Sequence, residues 1–146
     1  MHLTEFQTIY FDESLYTVVV RVNEKSQFAT IESVMQAQYA ILSAVETYMP
    51  RNLLMNLRDL RFAVTPELQI WVATEIVPKI IATGVVKLGY VMPTEFIESL
   101  AVEQIVDEVS EVVIQQEAEA DIAYFDNEKD AFFWFTQAKN NLHQFA

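Results

Sequence analysis

The residues best placed to do chemistry lie where a short apolar segment, residues 53–57, runs into the helix that follows it. Sites in open α/β sheets lie at the carboxyl ends of strands and beside helix N-termini. We therefore expect a partner-binding or switch surface in loop 58–65 and the start of the next helix. Its charged and hydroxyl side chains are Arg58, Asp59, Arg61, Thr65 and Glu67.

The two arginines of this loop could bind an acidic ligand or a partner's carboxylate, because guanidinium groups pair well with carboxylates. Positive charge is scarce in the chain, with 9 basic against 21 acidic residues. The alternative is a local ion pair with Asp59 that fixes the loop, and the sequence favours this structural role. Exposed pairs of this kind contribute only about 0–1 kcal/mol.

Charge and composition exclude several classes of function. The net charge of −12 would repel nucleic acid and anionic membranes alike. The chain has no cysteine and two glycines, which excludes disulfides, thiolate sites and glycine-rich phosphate loops. His2 and His143 lie near opposite ends, where they make a poor metal site or catalytic base. The acidic residues of segment 103–121 lack the ligand spacing of a calcium loop and indicate a solvated helix face.

The aromatic run of residues 132–135 is the second informative feature. On a helix, Ala131, Trp134 and Phe135 share one face with Ala138 and Leu142, which predicts a face directed to the core. Phe133 then points outward. It is either an incidental exposed side chain or an interface residue of a homodimer or partner contact, and the sequence favours neither.

Apolar residues at helical spacing leave a further alternative open. Trp71, Ile76 and Phe96 could surround a pocket for an acyl chain or another apolar ligand. The more conservative interpretation is that these side chains simply fill the core. Pro78 makes the middle helix less regular, which would favour a pocket.

The pattern along the chain predicts alternating strands and helices. Residues 7–11 and 16–22 form an antiparallel hairpin around the turn 12–14, and 53–57, 85–92 and 121–125 are further strands. Helices begin after the caps Thr30, Thr65 and Asn127 and near Pro93, and Gly84 ends the second one as a left-handed cap. Phe96, Leu100, Ile105, Val109 and Val112 are expected to face inward. The segment 115–120 is either a helix tail or a loop, and the last helix is expected to run from residue 128 to about 142.

Three segments carry a resemblance to a known family: residues 53–59 (LLMNLRD), 84–92 (GVVKLGYVM) and 124–135 (YFDNEKDAFFWF). Together with the element order, they resemble the SpoIIAA-like, STAS-type domains, and more narrowly the small stand-alone bacterial STAS-like proteins. The resemblance implies a regulatory, protein-binding role and, in antagonists of the family, a phosphorylated Ser or Thr at the position of Thr65. Here Val64 and Pro66 stand where that motif has Asp and a glycine-containing turn, which favours a helix cap at Thr65. The fold is also similar to lipid-binding CRAL-TRIO domains.

These observations predict one α/β domain over residues 1–146, with a core of about 7–142. We expect a mostly parallel sheet, an N-terminal antiparallel hairpin and helices on the faces of the sheet. The expected function is a non-catalytic regulatory or protein-interaction module without cofactor or metal. The alternative is a small-molecule or lipid-binding domain of the same fold. No apolar stretch of about 18 residues predicts a membrane span, and the expected location is the cytoplasm.

Overall fold

A five-stranded mixed sheet forms the centre of the computed structural model, which describes residues 5–115 and 119–137. The strands lie in chain order. The first pair is antiparallel and the other three pairs are parallel. This confirms the predicted α/β fold with its N-terminal hairpin. The strands are β1 (Gln7–Asp12), β2 (Thr17–Val22), β3 (Asn52–Asn56), β4 (Lys87–Val91) and β5 (Asp121–Phe125).

Helices connect the parallel strands and follow the last one. The caps predicted from sequence are confirmed: the side chains of Thr30, Thr65 and Asn127 each accept a hydrogen bond from a backbone N–H of the following first turn. The elements are a 3₁₀ helix (Glu24–Phe28), α1 (Ile31–Tyr48), α2 (Pro66–Trp71), a π-helical turn (Val72–Ile76), α3 (Val77–Ala82), α4 (Phe96–Gln115) and α5 (Glu128–Phe135).

The two faces of the sheet are covered unequally. On the first face, alternate strand residues such as Val18, Val20 and Leu53 pack against α1, the π turn, α3 and α4 in the main core. On the second face, Val19 and Leu54 belong to a smaller cluster with residues of α5. Because both faces are covered, consecutive residues of β2 are fully buried, as the apolar run in this strand predicts.

Helix α5 packs on the second face as its sequence predicts. Ala131 and Phe135 are buried, Trp134 is half-buried, and Phe133 is 65% exposed. Gly89 of β4 allows this close approach, since a Cβ atom there would lie 3.2 Å from the Phe135 ring. The helix ends at Phe135, earlier than predicted. The predicted contributions of Ala138 and Leu142 lie outside the described residues.

A buried lysine holds the end of α5 against the sheet. Lys87, the first residue of β4, is only 3% exposed, and its Nζ donates a hydrogen bond to the carbonyl oxygen of Trp134 at 2.7 Å. It also donates to the carbonyl oxygen of Gln137. A positive charge at the C-terminal end of a helix is favourable because the free carbonyl groups carry partial negative charge.

The inward face predicted for α4 is wrong at its first turn. Phe96 is 75% exposed and Leu100 is also exposed, whereas Ile105 and Val109 are buried as expected. The buried stripe of α4 passes through Val102, and Phe96 lies about 120° away from it around the helix at 100° per residue. Helical spacing alone therefore placed Phe96 on the wrong face.

The second helical segment ends on a glycine, as predicted. Gly84 has φ of +113° and follows the last turn of α3. Its N–H donates to the carbonyl oxygen of Ile81 at 3.0 Å. This backbone conformation is one that L side chains rarely adopt, so glycine is favoured at the position.

Candidate functional site

An apolar cavity of about 80 Å³ lies between the first face of the sheet and the helices that cover it. Its floor is the sheet, through Leu53, Met55, Leu88 and Tyr90. Its walls come from α1, from the irregular segment α2–α3 and from α4. The sequence left open an apolar ligand pocket around Trp71, Ile76 and Phe96, and this cavity is lined by other side chains.

The cavity opens between α1 and the loop that follows β3. Most lining residues are buried, but Val34 and Gln38 of α1 and Phe62 and Val64 of the loop are only partly buried. Partly exposed lining residues mark the place where a cavity meets solvent. The mouth therefore lies beside loop 58–65, the segment that the sequence singled out.

Loop 58–65 has an apolar inner side and an exposed outer side. Leu60, Phe62 and Val64 line the cavity, while Asp59 and Ala63 are exposed. Successive side chains of an extended segment point to opposite sides, which explains why residues 60, 62 and 64 share the inner side. The alternation of residues 60–64 was visible in the sequence, and it was the signal that could have identified the loop as the cover of a cavity.

Arg61 ties this loop to two neighbouring elements. Its Nε lies 3.5 Å from Oε1 of Glu95, and its Nη2 lies 3.8 Å from Oε1 of Glu24. Its backbone N–H donates to Oγ of the buried Ser26 at 2.8 Å. The expected ion pair with Asp59 is wrong for Arg61, and within the described residues no salt bridge joins Asp59 to either arginine.

The other predicted surface residues stay on the outside of the same loop and helix start. Arg58, Asp59 and Glu67 are exposed, and Thr65 is half-buried. Oγ1 of Thr65 accepts a hydrogen bond from the N–H of Leu68 at 3.3 Å, which is the geometry of a helix cap. The predicted residues therefore lie at exposed or half-buried positions of the loop and of the start of α2.

The three residues predicted to surround a pocket do not line the cavity. Trp71 packs edge-on against Tyr39 of α1, with ring centroids 5.6 Å apart. Ile76 is completely buried in packed core, and Phe96 lies at the surface. The same helical segment instead contributes four residues to the lining: Leu68, Val72, Val77 and Ile80.

The π turn explains why the sequence missed these lining residues. The N–H of Val77 donates to the carbonyl oxygen of Val72, five residues earlier, instead of four. Pro78 follows directly and has no N–H to donate. In a regular helix two residues five apart differ by about 140° in direction, whereas a π turn brings them close to one face. Val72 and Val77 therefore both face the cavity.

Tyr90 places a polar group in these apolar surroundings. The residue is 5% exposed and lines the cavity, and no described group forms a hydrogen bond with its hydroxyl. No enclosed side-chain nitrogen or oxygen in the described part of the chain lacks a hydrogen bond. The hydroxyl must therefore adjoin open space. Burial raises the pKa of Tyr90 above its ordinary value, so the phenol stays protonated and can donate a hydrogen bond.

The remaining polar side chains of the lining are uncharged. Nε2 of Gln7 donates to the carbonyl oxygen of Ala37 at 3.1 Å, and Ser26 accepts from the backbone of Arg61. Gln38 stands at the mouth. Every lining residue is neutral, so the interior offers apolar contact and hydrogen bonding without a counter-ion for a charged ligand.

A second polar cluster lies on the opposite face of the sheet, and no sequence pattern indicated it. Arg21 binds Glu128 through two hydrogen bonds of 2.7 and 2.9 Å and donates to the hydroxyl of Tyr10 at 2.9 Å. Nδ2 of Asn56 also donates to Glu128. The hydrogen bond from Arg21 lowers the pKa of Glu128. Because its partners occupy this carboxylate, the cluster fastens the start of α5 to the sheet and is a poor catalytic base.

Two further properties bear on the kind of site. Among the described residues, no group of three or more His, Asp or Glu side chains could hold a metal ion. His2 and His143 lie outside the described residues. None of the helices in residues 5–115 and 119–137 has both the length and the hydropathy that a membrane crossing requires.

No family model, no curated protein and no solved structure matches this chain.

Proposed function

We propose that this protein is a non-catalytic domain that binds a small apolar molecule in the cavity between its sheet and its helices. The supporting observation is the cavity itself, which has a mostly apolar and uncharged lining and opens beside loop 58–65. Protein cores are normally close-packed, and unfilled volume is unfavourable by about 24 cal/mol per Å³. For 80 Å³ this amounts to about 2 kcal/mol, which a bound ligand would recover.

The volume limits the size of the ligand. A water molecule needs about 10–15 Å³ of such space and two or more polar partners, and this lining is mostly apolar. The cavity is also smaller than an engineered apolar cavity of about 150 Å³ that holds benzene. The ligand is therefore a molecule of a few carbon atoms, or the end of a longer one that leaves through the mouth.

Xenon and benzene are suitable probes of this proposal, because both bind to apolar cavities. We expect xenon within the cavity, and benzene partly in its mouth, to shift the amide signals of Leu53, Val72 and Val102 in ¹H–¹⁵N spectra of the full chain. Ala37→Leu should abolish these shifts by filling the cavity from α1. Ala82→Leu, at an exposed position outside the lining, should leave them unchanged. If neither probe shifts these signals in the wild-type protein, the proposal is wrong.

The second candidate is a cytoplasmic regulatory module that binds a protein partner, the role that a STAS-type domain would supply. Exposed aromatic residues beside the loop favour it. Phe96 is 75% exposed and Phe28 is 76% exposed. Phe28 lies in the 3₁₀ helix that contains Glu24, and Phe96 directly follows Glu95. Glu24 and Glu95 are the two carboxylates paired with Arg61. Aromatic side chains of this kind are common in the centre of protein interfaces.

Affinity purification from the native host would test the second candidate. We expect a specific partner to be retained by the wild-type chain and by Phe133→Ser, and to be lost with Phe96→Ser or Arg58→Glu. Equal retention by all four proteins would place the interface elsewhere. Absence of any partner, together with binding of xenon or benzene, would leave the ligand-binding domain as the function.

A further inference from the structure

We infer that the cavity selects a small neutral molecule with one hydrogen-bond-accepting oxygen, such as a ketone, an aldehyde or an ester, and that the Tyr90 hydroxyl donates to this oxygen. The inference rests on the proposed function and specifies the ligand of the same cavity. Three observations carry it: the unpartnered hydroxyl, the neutral lining and the position of the mouth.

The hydroxyl of Tyr90 is the clearest indication of a polar group on the ligand. The residue is 95% buried, since only 5% of it is exposed, yet its oxygen has no hydrogen-bond partner among the described residues. No enclosed side-chain oxygen of the described residues lacks a hydrogen bond, so this oxygen faces the open space of the cavity, where a hydroxyl still needs a hydrogen-bond partner. A ligand oxygen in the adjoining cavity supplies one.

The charge of the lining decides between a neutral and an ionised ligand. A carboxylate in the cavity would lose its hydration without gaining a cationic partner, because every lining residue is uncharged. The net charge of −12 also opposes an anion. A carbonyl oxygen accepts the phenol's hydrogen bond and brings no donor that would itself need a partner.

The position of the mouth sets the orientation of the ligand. Tyr90 lies on the sheet floor, whereas the partly exposed lining residues belong to α1 and the loop. A ligand that enters between Val34 and Phe62 therefore reaches the phenol with the end that enters first. Any longer apolar tail would remain between α1 and the inner side of the loop.

The test compares matched five-carbon ligands: pentan-2-one, pentane and pentanoate. Dissociation constants would be measured by titration of the ¹⁵N-labelled full chain at pH 7. The ratio of the affinity for pentan-2-one to the affinity for pentane should be about fivefold to tenfold higher in the wild-type protein than in Tyr90→Phe. This is the effect of one net hydrogen bond. Pentanoate should bind more weakly than the ketone.

The two ligands differ in polarity, which affects their affinity for any apolar cavity. This effect cancels when the ratio of ketone to pentane affinity is compared between the two proteins. Pentane should still bind to Tyr90→Phe, which shows that the variant cavity is intact. Tyr39→Phe, an exposed tyrosine outside the lining, is the matched control and should keep the wild-type ratio.

Each outcome has one meaning. Equal ratios in wild type and Tyr90→Phe, with both ligands bound, would refute the role of Tyr90 and leave the apolar cavity as a binding site. Pentanoate binding as tightly as the ketone would refute the selection of neutral ligands. Failure of all three ligands to bind the wild-type protein, together with failure of xenon and benzene, would refute the proposed function itself.

Discussion

Replacement of Tyr90 by phenylalanine is expected to increase the free energy of unfolding of the ligand-free protein. The substitution keeps the ring that packs in the main core and removes only the hydroxyl, which has no hydrogen-bond partner among the described residues. In the unfolded chain the hydroxyl is hydrated by water. Folding removes part of this hydration, because the oxygen then faces only the cavity, and phenylalanine avoids that loss.

The magnitude follows from the surroundings of the hydroxyl. An unsatisfied buried polar group costs about 1–3 kcal/mol. The oxygen adjoins open space and the residue retains 5% exposure, so the lower end of that range applies, about 1 kcal/mol. For a domain of 146 residues, this corresponds to an increase in Tm of about 3–4 °C.

Urea unfolding followed by tryptophan fluorescence, with calorimetry for Tm, would measure the difference. Both proteins should be refolded from denaturant so that no ligand remains bound. Tyr10→Phe is the matched control with the opposite sign, because its hydroxyl accepts a 2.9 Å hydrogen bond from Arg21. That variant should lose about 1 kcal/mol of stability at most, since the pair lies near the surface.

A loss of stability of 1 kcal/mol or more in Tyr90→Phe would refute the reasoning. It would mean that the hydroxyl has a partner in the free protein and is part of the core's own hydrogen bonding. The combination that the structure predicts is a gain in stability and a loss of affinity for the ketone in the same variant. A binding group that is unfavourable in the free protein produces this combination, whereas a packing residue does not.

Four other substitutions test separate parts of the structure. Thr65→Ala should lower the free energy of unfolding by about 1 kcal/mol because it removes a helix cap, and Thr65→Ser should restore most of it; an unchanged midpoint in urea would contradict the cap. Gly84→Ala should cost about 1–2 kcal/mol, since φ of +113° is unfavourable for a residue with a Cβ atom. Glu128→Gln should cost about 1 kcal/mol or less at pH 7, because the pair with Arg21 is partly exposed. The folded pKa of Glu128 is lowered, so its contribution is fully present above the unfolded pKa of about 4.3. The difference between wild type and variant should decrease as the pH falls below that value and disappear once the pH is below the folded pKa. Phe133→Ser should convert a dimer to a monomer in analytical ultracentrifugation if this exposed residue is an interface, and an unchanged association state would show that its exposure is incidental.

Much of the fold could be predicted from local sequence patterns, because each pattern reflects a local physical requirement. The strand Asp121–Phe125 was predicted with its observed bounds. The caps Thr30 and Thr65 were recognisable because short hydroxyl side chains satisfy free N–H groups at helix starts. Gly84 was recognisable for a similar reason, since few other residues adopt a positive φ.

The pocket residues could not be predicted in the same way, because a cavity depends on volumes contributed by distant segments. Trp71, Ile76 and Phe96 share an apolar character with the true lining, but the π turn and the direction of the α4 stripe determine which side chains reach the cavity. Tyr90 lay within a predicted strand. Its importance depends on the missing hydrogen-bond partner, which only the folded structure reveals.

The ion pairs could not be predicted from the sequence for a related reason. Arg21 and Glu128 are 107 residues apart, and Arg61 contacts elements on both sides of its own loop. Local charge spacing favoured Asp59 as the partner of Arg61, but Asp59 lies in the turn in which the N–H of Leu60 donates to the carbonyl oxygen of Leu57, and Arg61 reaches Glu24 and Glu95 instead. The tertiary arrangement therefore decided the pairing.

The position of the cavity follows from the order of the strands. In a parallel sheet whose strands lie in chain order, crossovers of one hand place all connecting helices on the same face. Here α1, the π turn, α3 and α4 all pack there, and several helices of different lengths must fill one layer. Pro78 and the π turn prevent the middle segment from packing as one regular helix. The second face carries the shorter α5, which Gly89 allows to pack closely. The unfilled volume therefore lies on the first face, at the irregular segment and beside the loop that can admit a ligand.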